Sequence, residues 1–363
     1  MINTNSEDSF LVFEYFVAAG EKDKSIISEA EALLFSLVDD LKDININLLL
    51  HESYENNIEL TPNITPIYIN ENVETWLIKN ADKFNKAIFI AGENDMNLYK
   101  FTKILEDNEV KTFTSSAKAC EICSNKFTAY EELYGLVPQP KTSKFTFDFE
   151  GGWINQLTNL YNSWQGENPF NPLKIILKPI NGIDCENIVV INNINEITED
   201  IELRYPPGET VVVQEFIEGE DLSVSLICDG RKAIPISLNS QLIEINDENT
   251  NYLGGVLPVD SPHKYEAFYI ATRAVEAIDG LKGFVGVDLR INTNPRDIND
   301  VYLLEVNSRF TTPYVGLKKI ANFNIGKTIV DLLDKKINIE DIDIKLDGKV
   351  TFKKENDTLT IDY

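Results

Sequence analysis

Up to Ser115 the apolar positions of the chain alternate between two spacings. FLVFEYFVA (Phe10–Ala18) is a continuous apolar run of strand length. Ser25–Lys42 instead sets Ile26, Ile27, Ala30, Leu33, Leu34, Leu37, Val38 and Leu41 at helical intervals. NINLLL (Asn45–Leu50) predicts a strand, Glu71–Phe84 a helix, KAIFIAG (Lys86–Gly92) a buried strand and Asp95–Asp107 a helix. Strand alternating with helix predicts an α/β fold with a parallel, doubly wound sheet. Ligands gather at the carboxyl ends of such strands. Two polar segments fall there, Glu14-Tyr15 and GEND (Gly92–Asp95).

Beyond Ser115 the pattern becomes α+β. Ser115–Tyr134 predicts one helix, stopped by VPQP (Val137–Pro140). KIILKPI (Lys174–Ile180) is a short strand, and NGIDCENIVV turns and restarts pairing. VVVQEFI (Val211–Ile217) and LSVSLIC (Leu222–Cys228) read as strands joined by EGED as a hairpin, with RKAIPIS extending the sheet. Asp260–Gly280 predicts a helix with Ser261 as N-cap and Pro262 in the first turn. FVGVDLRI (Phe284–Ile291) and VYLLEVNSR (Val301–Arg309) are strands around a polar loop, Asn324–Leu333 is a helix, and the tail from Asp341 alternates like a hairpin.

The chain has 363 residues, enough for two or three domains. Aspartate plus glutamate number 59 against 33 for lysine plus arginine, a net charge of −26. That balance argues against binding nucleic acid or an anionic membrane. It leaves room for an anionic small ligand held by a few cations. No apolar run has the length of a membrane span, MINTNSEDSF lacks a secretory signal's pattern, and four cysteines are too few for a disulfide scaffold. The expectation is a cytoplasmic protein with reduced thiols.

Candidate chemistry concentrates between Phe284 and Arg309. Strict alternation puts Leu303, Glu305, Asn307 and Arg309 on one face of their strand, with Leu304 and Val306 on the other, and Asp288 and Arg290 together on the neighbouring strand. Carboxylates amid FVGVDL and YLLEVN need an offset to their burial. A Mg²⁺ held by Asp288, Glu305 and Asn307 supplies one, with Arg309 on a phosphate. An internal salt-bridge network of both acids with Arg290 and Arg309 supplies another. Lys178 shares an apolar face with Ile176 and Ile180, so it either meets a phosphate or snorkels at a strand edge. EGED either serves a nucleotide's base and sugar or is a solvated turn. Cys120 and Cys123 read as core thiols, His51 and His263 as surface or capping residues, and Trp153 and Trp164 as packing residues.

In order as well as content these motifs resemble the ATP-grasp superfamily of carboxylate–amine ligases, over roughly Ser115–Leu333. The resemblance implies an ATP-grasp fold preceded by a doubly wound pre-ATP-grasp domain. The expected divisions are 1–115 for that domain, 116–207 for a lid, 208–335 for the metal-bearing part and 336–363 for a strand-rich tail. SNKFTAYEEL would carry the first ATP lysine, Lys126, and IILKPI the second, Lys178. Glu215 and the Phe216–Ile217 backbone would face adenine, and Glu220 or Asp221 the ribose. Asp288, Glu305 and Asn307 would bind Mg²⁺, with Mn²⁺ as a substitute, while Arg309 and Lys178 would be catalytic. The family's glycine-rich cover loop is reduced here to NGIDCEN, with Gly182 alone.

FLVFEYFVAAG, FIAGENDMNLY and NYLGGVLPV also resemble the archaeal ligase group that joins tyramine to glutamate in methanofuran biosynthesis. That implies an acyl phosphate made from ATP and a carboxylate, then captured by an amine. Glu14 and Glu93 would hold ammonium groups, Tyr252, Gly254 and Gly255 would shape the acyl site, and Arg290 would be a further substrate contact. The bland alternative makes Glu14 and Glu93 solvated loop carboxylates and has Tyr252 pack locally. The expected partners are small-molecule substrates, with no nucleic acid and no membrane; a homodimer stays open. A nucleotide-binding regulatory protein on the same frame is the competing class.

Overall fold

The computed structural model describes residues 9–167, 169, 172–181, 187–245, 250–294, 299–355 and 358–363, without the side chains of residues 245, 250–252 and 355. Gly182 and Cys185 lie outside the described residues. The chain begins with strands β1 (Phe10–Glu14), β2 (Ile46–His51), β3 (Ile64–Ile69), β4 (Lys86–Ile90) and β5 (Lys111–Thr112). They form a parallel sheet in the order β3-β2-β1-β4-β5. Helices α1 (Tyr15–Ala19), α2 (Lys24–Asp40), α3 (Val73–Asn80) and α4 (Asn97–Asp107) connect the strands. The alternating pattern predicted this arrangement. The order reverses between β1 and β4, so their carboxyl ends, with Glu14 and Glu93, flank the switch-point crevice.

The apolar run Phe10–Ala18 is not one strand. β1 stops at Glu14, whose carboxylate accepts the Val17 N–H at 2.8 Å and caps α1. An apolar run cannot separate strand from helix, and here the capping side chain decides it. β3 was not foreshadowed, because Pro66 interrupts its pattern. It lies at the sheet's edge, where a missing N–H is tolerated.

The predicted helix Ser115–Tyr134 is also divided. α5 (Ala117–Ser124) ends at Asn125, which leaves helical geometry (φ −109°, ψ 106°) and caps α6 (Lys126–Glu132) through its side chain. The break sets Lys126 at the start of a helix, its N–H bonded to the Ile180 carbonyl at 2.9 Å.

β6 (Thr142–Thr146), β7 (Ile175–Pro179), β8 (Val189–Ile191) and β9 (Thr210–Glu215) form an antiparallel sheet ordered β6-β9-β7-β8. α7 (Trp153–Glu167) packs on it through Trp153, Leu157 and Tyr161, with Trp164 half-buried alongside. Both tryptophans therefore pack, as expected.

The next sheet is ordered β11-β10-β14-β15, from β10 (Gly219–Asp229), β11 (Ala233–Ser240), β14 (Lys282–Asn292) and β15 (Val301–Asn307). β12 (Leu242–Ile245) and β13 (Thr250–Leu257) join β16 (Val350–Glu355) and β17 (Thr358–Asp362) in another, so the tail hairpin forms and finds partners. α8 (Lys264–Ala277) starts later than predicted: His263 is its N-cap, and Ser261 Oγ instead accepts the His263 N–H at 3.2 Å. α9 (Pro313–Ile320), which the pattern did not announce, and α10 (Ile325–Leu333) complete the described helices. Phe10, Val12, Leu34 and Leu48 share one core with Phe284, Phe310, Tyr314, Ile329 and Phe352, so the first sheet and the tail are tied together.

Two strand readings are corrected. VVVQEFI and LSVSLIC do not pair as a hairpin, because β9 and β10 belong to different sheets. Gly219 explains the departure. Its φ of 155° brings β10 so close to β14 that a Cβ would stand 1.7 Å from the Ile291 carbonyl oxygen, which commits the chain to β14 as it leaves β9. Nor does Leu303 share the face of Glu305. The register passes from Asp288↔Glu305 to Leu289↔Leu303, leaving Leu304 as a bulge, and Leu303 joins Val301 and Val306 in the core.

Candidate active site

β14 and β15 place Asp288 directly opposite Glu305, with Asn307 two pairs further along. Asp288 Oδ2 accepts from Asn307 Nδ2 at 2.8 Å, and Oδ1 from Gln241 Nε2 at 2.9 Å. Glu305 Oε1 accepts from Lys126 Nζ at 2.8 Å. Burial first, and the Glu305 charge second, push the Asp288 carboxyl up from 3.8 to about 6. Two acids forced together and trimmed by amides fit a hard divalent cation, which takes oxygen ligands and relieves their repulsion. Arg290 pairs with Asp221, and Arg309 Nε with Glu93 at 2.8 Å, while the Arg309 charge also acts on Asp288. Sequence reasoning missed Gln241, which lies in no motif and reaches Asp288 only through the fold.

The lysines approach from two other elements. Lys126 reaches Glu305 on β15 from α6, as above. Lys178, on β7, donates to Gln214 Oε1 at 3.0 Å, and Gln214 Nε2 donates to Thr142 Oγ1 at 3.0 Å. This buried amide was likewise not singled out from the sequence.

Where β9 passes to β10, the Glu215 N–H is taken by the Lys141 carbonyl at 2.8 Å and the Phe216 N–H by the Lys174 carbonyl at 2.9 Å. Among the described residues the Ile217 N–H has no such partner. Glu220 is exposed, and Asp221 is half-buried against Arg290. The structure thus brings Arg290 to the Phe216–Asp221 segment, where its guanidinium lies 5.0 Å from the Phe216 ring centroid.

At the switch point Glu14 and Glu93 are both 3% exposed, so neither is a solvated loop carboxylate. Glu93 Oε2 holds Arg309, and its Oε1 is buried without a partner among the described residues. Asp95 and Met96 follow with left-handed backbones (φ 52° and 60°), a strained pair of the kind found at functional sites. Desolvation pushes the Glu14 carboxyl up from 4.5 to about 7. Its charge is therefore favoured less in the folded chain than in the unfolded one. The stability that this group contributes is full at low pH and declines as pH rises from about 4.5 through about 7. Thermal melts across that window will fall less steeply for Glu14→Gln than for the unchanged chain; identical slopes would contradict this.

Gly254 has φ 131°, and a Cβ there would stand 2.1 Å from the Phe352 carbonyl oxygen, so the β13–β16 contact accounts for it. Gly255 lies opposite Phe352. The side chain of Tyr252 lies outside the described residues. Cys120 and Cys123 are core thiols, and burial pushes Cys120 up to about 12. His51 and His263 are N-caps of helical turns.

Residues 123–313 match the ATP-grasp domain family. The tyramine–L-glutamate ligase of Methanocaldococcus fervens is 30% identical over 344 residues, covering 93% of this chain and 97% of that protein. Its counterpart in Methanocaldococcus jannaschii is 29% identical over 344 residues, with 93% and 92% covered. A crystal structure from Archaeoglobus fulgidus, described as of the ATP-grasp superfamily, superposes with a TM-score of 0.69 at 24% identity, over 98% of this chain and 99% of that one. The chain belongs to the ATP-grasp family and is an ATP-grasp ligase, similar along nearly its whole length to tyramine–L-glutamate ligases. ATP-grasp enzymes generally use ATP and Mg²⁺, and small-molecule substrates fit such a ligase. No helix among the described residues is long and apolar enough to cross a membrane.

Proposed function

We propose that this ligase joins the side-chain carboxylate of glutamate to the amine of tyramine through an acyl phosphate, releasing ADP and phosphate. What supports the substrates above all is the 30% identity, across 93% of the chain, to a ligase named for that pair. Two buried carboxylates at the switch point, Glu14 and Glu93, add acceptors suited to the ammonium groups of an amino acid and an amine.

Asp288, Glu305 and Asn307 would hold Mg²⁺, or Mn²⁺ in its place, and the ion would neutralise charge on the transferring phosphoryl oxygens. Lys126 and Lys178 neutralise the α and β phosphates. The Glu215 carbonyl and the Phe216–Ile217 backbone face adenine, while Glu220 or Asp221 receives the ribose. Gly182, in a segment outside the described residues, belongs to the phosphate cover. Arg309, steadied by Glu93, stands between the metal strand and the switch point. There it stabilises first the phosphoryl group being transferred and then the tetrahedral adduct formed by the amine. Tyr252, Gly254 and Gly255 border the acyl group.

A panel of amino acids against amines, read for product mass and ADP together, tests the reading. Glutamyl-tyramine with one ADP per product is expected. A product from another acid or amine would make the chain a sibling ligase. AMP with pyrophosphate would overturn the acyl phosphate. Binding of Mg·ATP with no turnover on any pair would favour the regulatory class.

A further inference from the structure

We infer that Arg290 is a nucleoside-positioning residue, which fixes the carboxylate and the ring that receive the sugar and base of ATP. The inference deepens the ligase reading and rests on its nucleotide site. Strand geometry gives the first reason. Asp288 and Arg290 share a face of β14, about 7 Å apart along it. If Asp288 marks the triphosphate end, Arg290 stands further toward the nucleoside. The neighbouring strand carries Asp221 in register with Arg290, immediately after the segment that leaves β9.

Two contacts and one uncommitted donor give the second reason. The Arg290 guanidinium is paired with Asp221, and the two side chains are 12% and 14% exposed. It also lies over the Phe216 ring. Its Nε is buried with no partner among the described residues, which leaves one donor uncommitted. A guanidinium already engaged by a carboxylate and an aromatic face is poorly placed to grip a substrate acid. It is well placed to hold Asp221 in one rotamer. A carboxylate offers about four acceptor positions, so the pair leaves Asp221 able to receive a sugar hydroxyl.

Calorimetric titration of the full chain with ATP, 2′-deoxyATP and 3′-deoxyATP in Mg²⁺ tests this, alongside KM values for acid and amine. Arg290→Lys keeps the charge but loses the planar fork, and Arg290→Met loses both. Each should weaken ATP binding about 10- to 100-fold and bring the deoxy analogues level with ATP, with KM for acid and amine within about twofold. Asp221→Asn should produce the same levelling from the other side of the pair. Circular dichroism checks folding, and the Lys variant carries the test should the Met variant fail to fold. Unchanged ATP affinity and discrimination in Arg290→Lys would overturn the inference, as would a raised KM for the acid alone. A native chain that takes up no Mg·ATP would bring down the ligase reading itself. Native binding with indifferent variants would remove only the role of Arg290.

Discussion

Asp288→Asn and Glu305→Gln will each lower kcat by about a thousandfold or more, since on the proposed reading several kcal/mol of charge stabilisation on the phosphoryl group depend on the metal they would hold. The cause lies in the cross-strand register. The two acids face each other, Asp288 bonded by the Asn307 and Gln241 amides and Glu305 by Lys126. Lys126 answers Glu305 but not Asp288, so without a metal ion the buried Asp288 charge is still opposed by Glu305. Asp288→Asn should therefore melt no lower than the native chain when nucleotide and metal are absent. A fall in turnover beside unchanged or raised stability is the signature of a site kept for function. Retention of activity within tenfold, or a melt many degrees lower, would instead make the acids structural.

Asp40→Ala will cost about 3–5 kcal/mol of stability, because it removes one side of a buried charged network. Asp40 is 3% exposed at the end of α2. Its Oδ2 accepts from the Tyr314 hydroxyl at 2.8 Å and from the Gly326 N–H at 2.7 Å, and Lys318 pairs with Oδ1. Its own carbonyl accepts from Asn324 Nδ2 at 2.9 Å. One aspartate of the first sheet's longest helix thus fastens α9 and the start of α10. Truncation orphans a buried hydroxyl and a buried N–H, while Lys318 keeps Asp39 at 2.7 Å. Asp40→Asn should fall between, and denaturant unfolding of the three proteins orders them. A loss under 1 kcal/mol for the alanine variant would show that the apolar core alone holds these elements together.

The residues of the proposed site were visible in the chain because they break local rules. Lys178 in an apolar row, Asp288 amid FVGVDL and Glu305 amid YLLEVN are charges where periodicity demands apolar side chains, and that conflict needs no fold to be noticed. The parallel first sheet was visible for the same reason, since alternating periods are a local property. What the pattern could not supply was every relation carried across space. Whether VVVQEFI and LSVSLIC pair depended on how closely Gly219 lets β10 approach β14. Whether Leu303 faces the site or the core depended on a bulge that only its partner strand reveals. Gln241, Gln214 and Asp40 gave no signal, because a neutral amide or one more acid in an acidic chain becomes particular only when a distant strand or helix closes over it. Arg290 shows the division most plainly. Alternation put it on the face of Asp288, and only the pairing of β10 with β14 gave it Asp221 and Phe216 as neighbours. Sequence determined which side chains carry charge into apolar surroundings, since that is set by neighbours along the chain. Tertiary structure decided which charge answers which, because Coulomb and hydrogen-bond energies depend on separation in space.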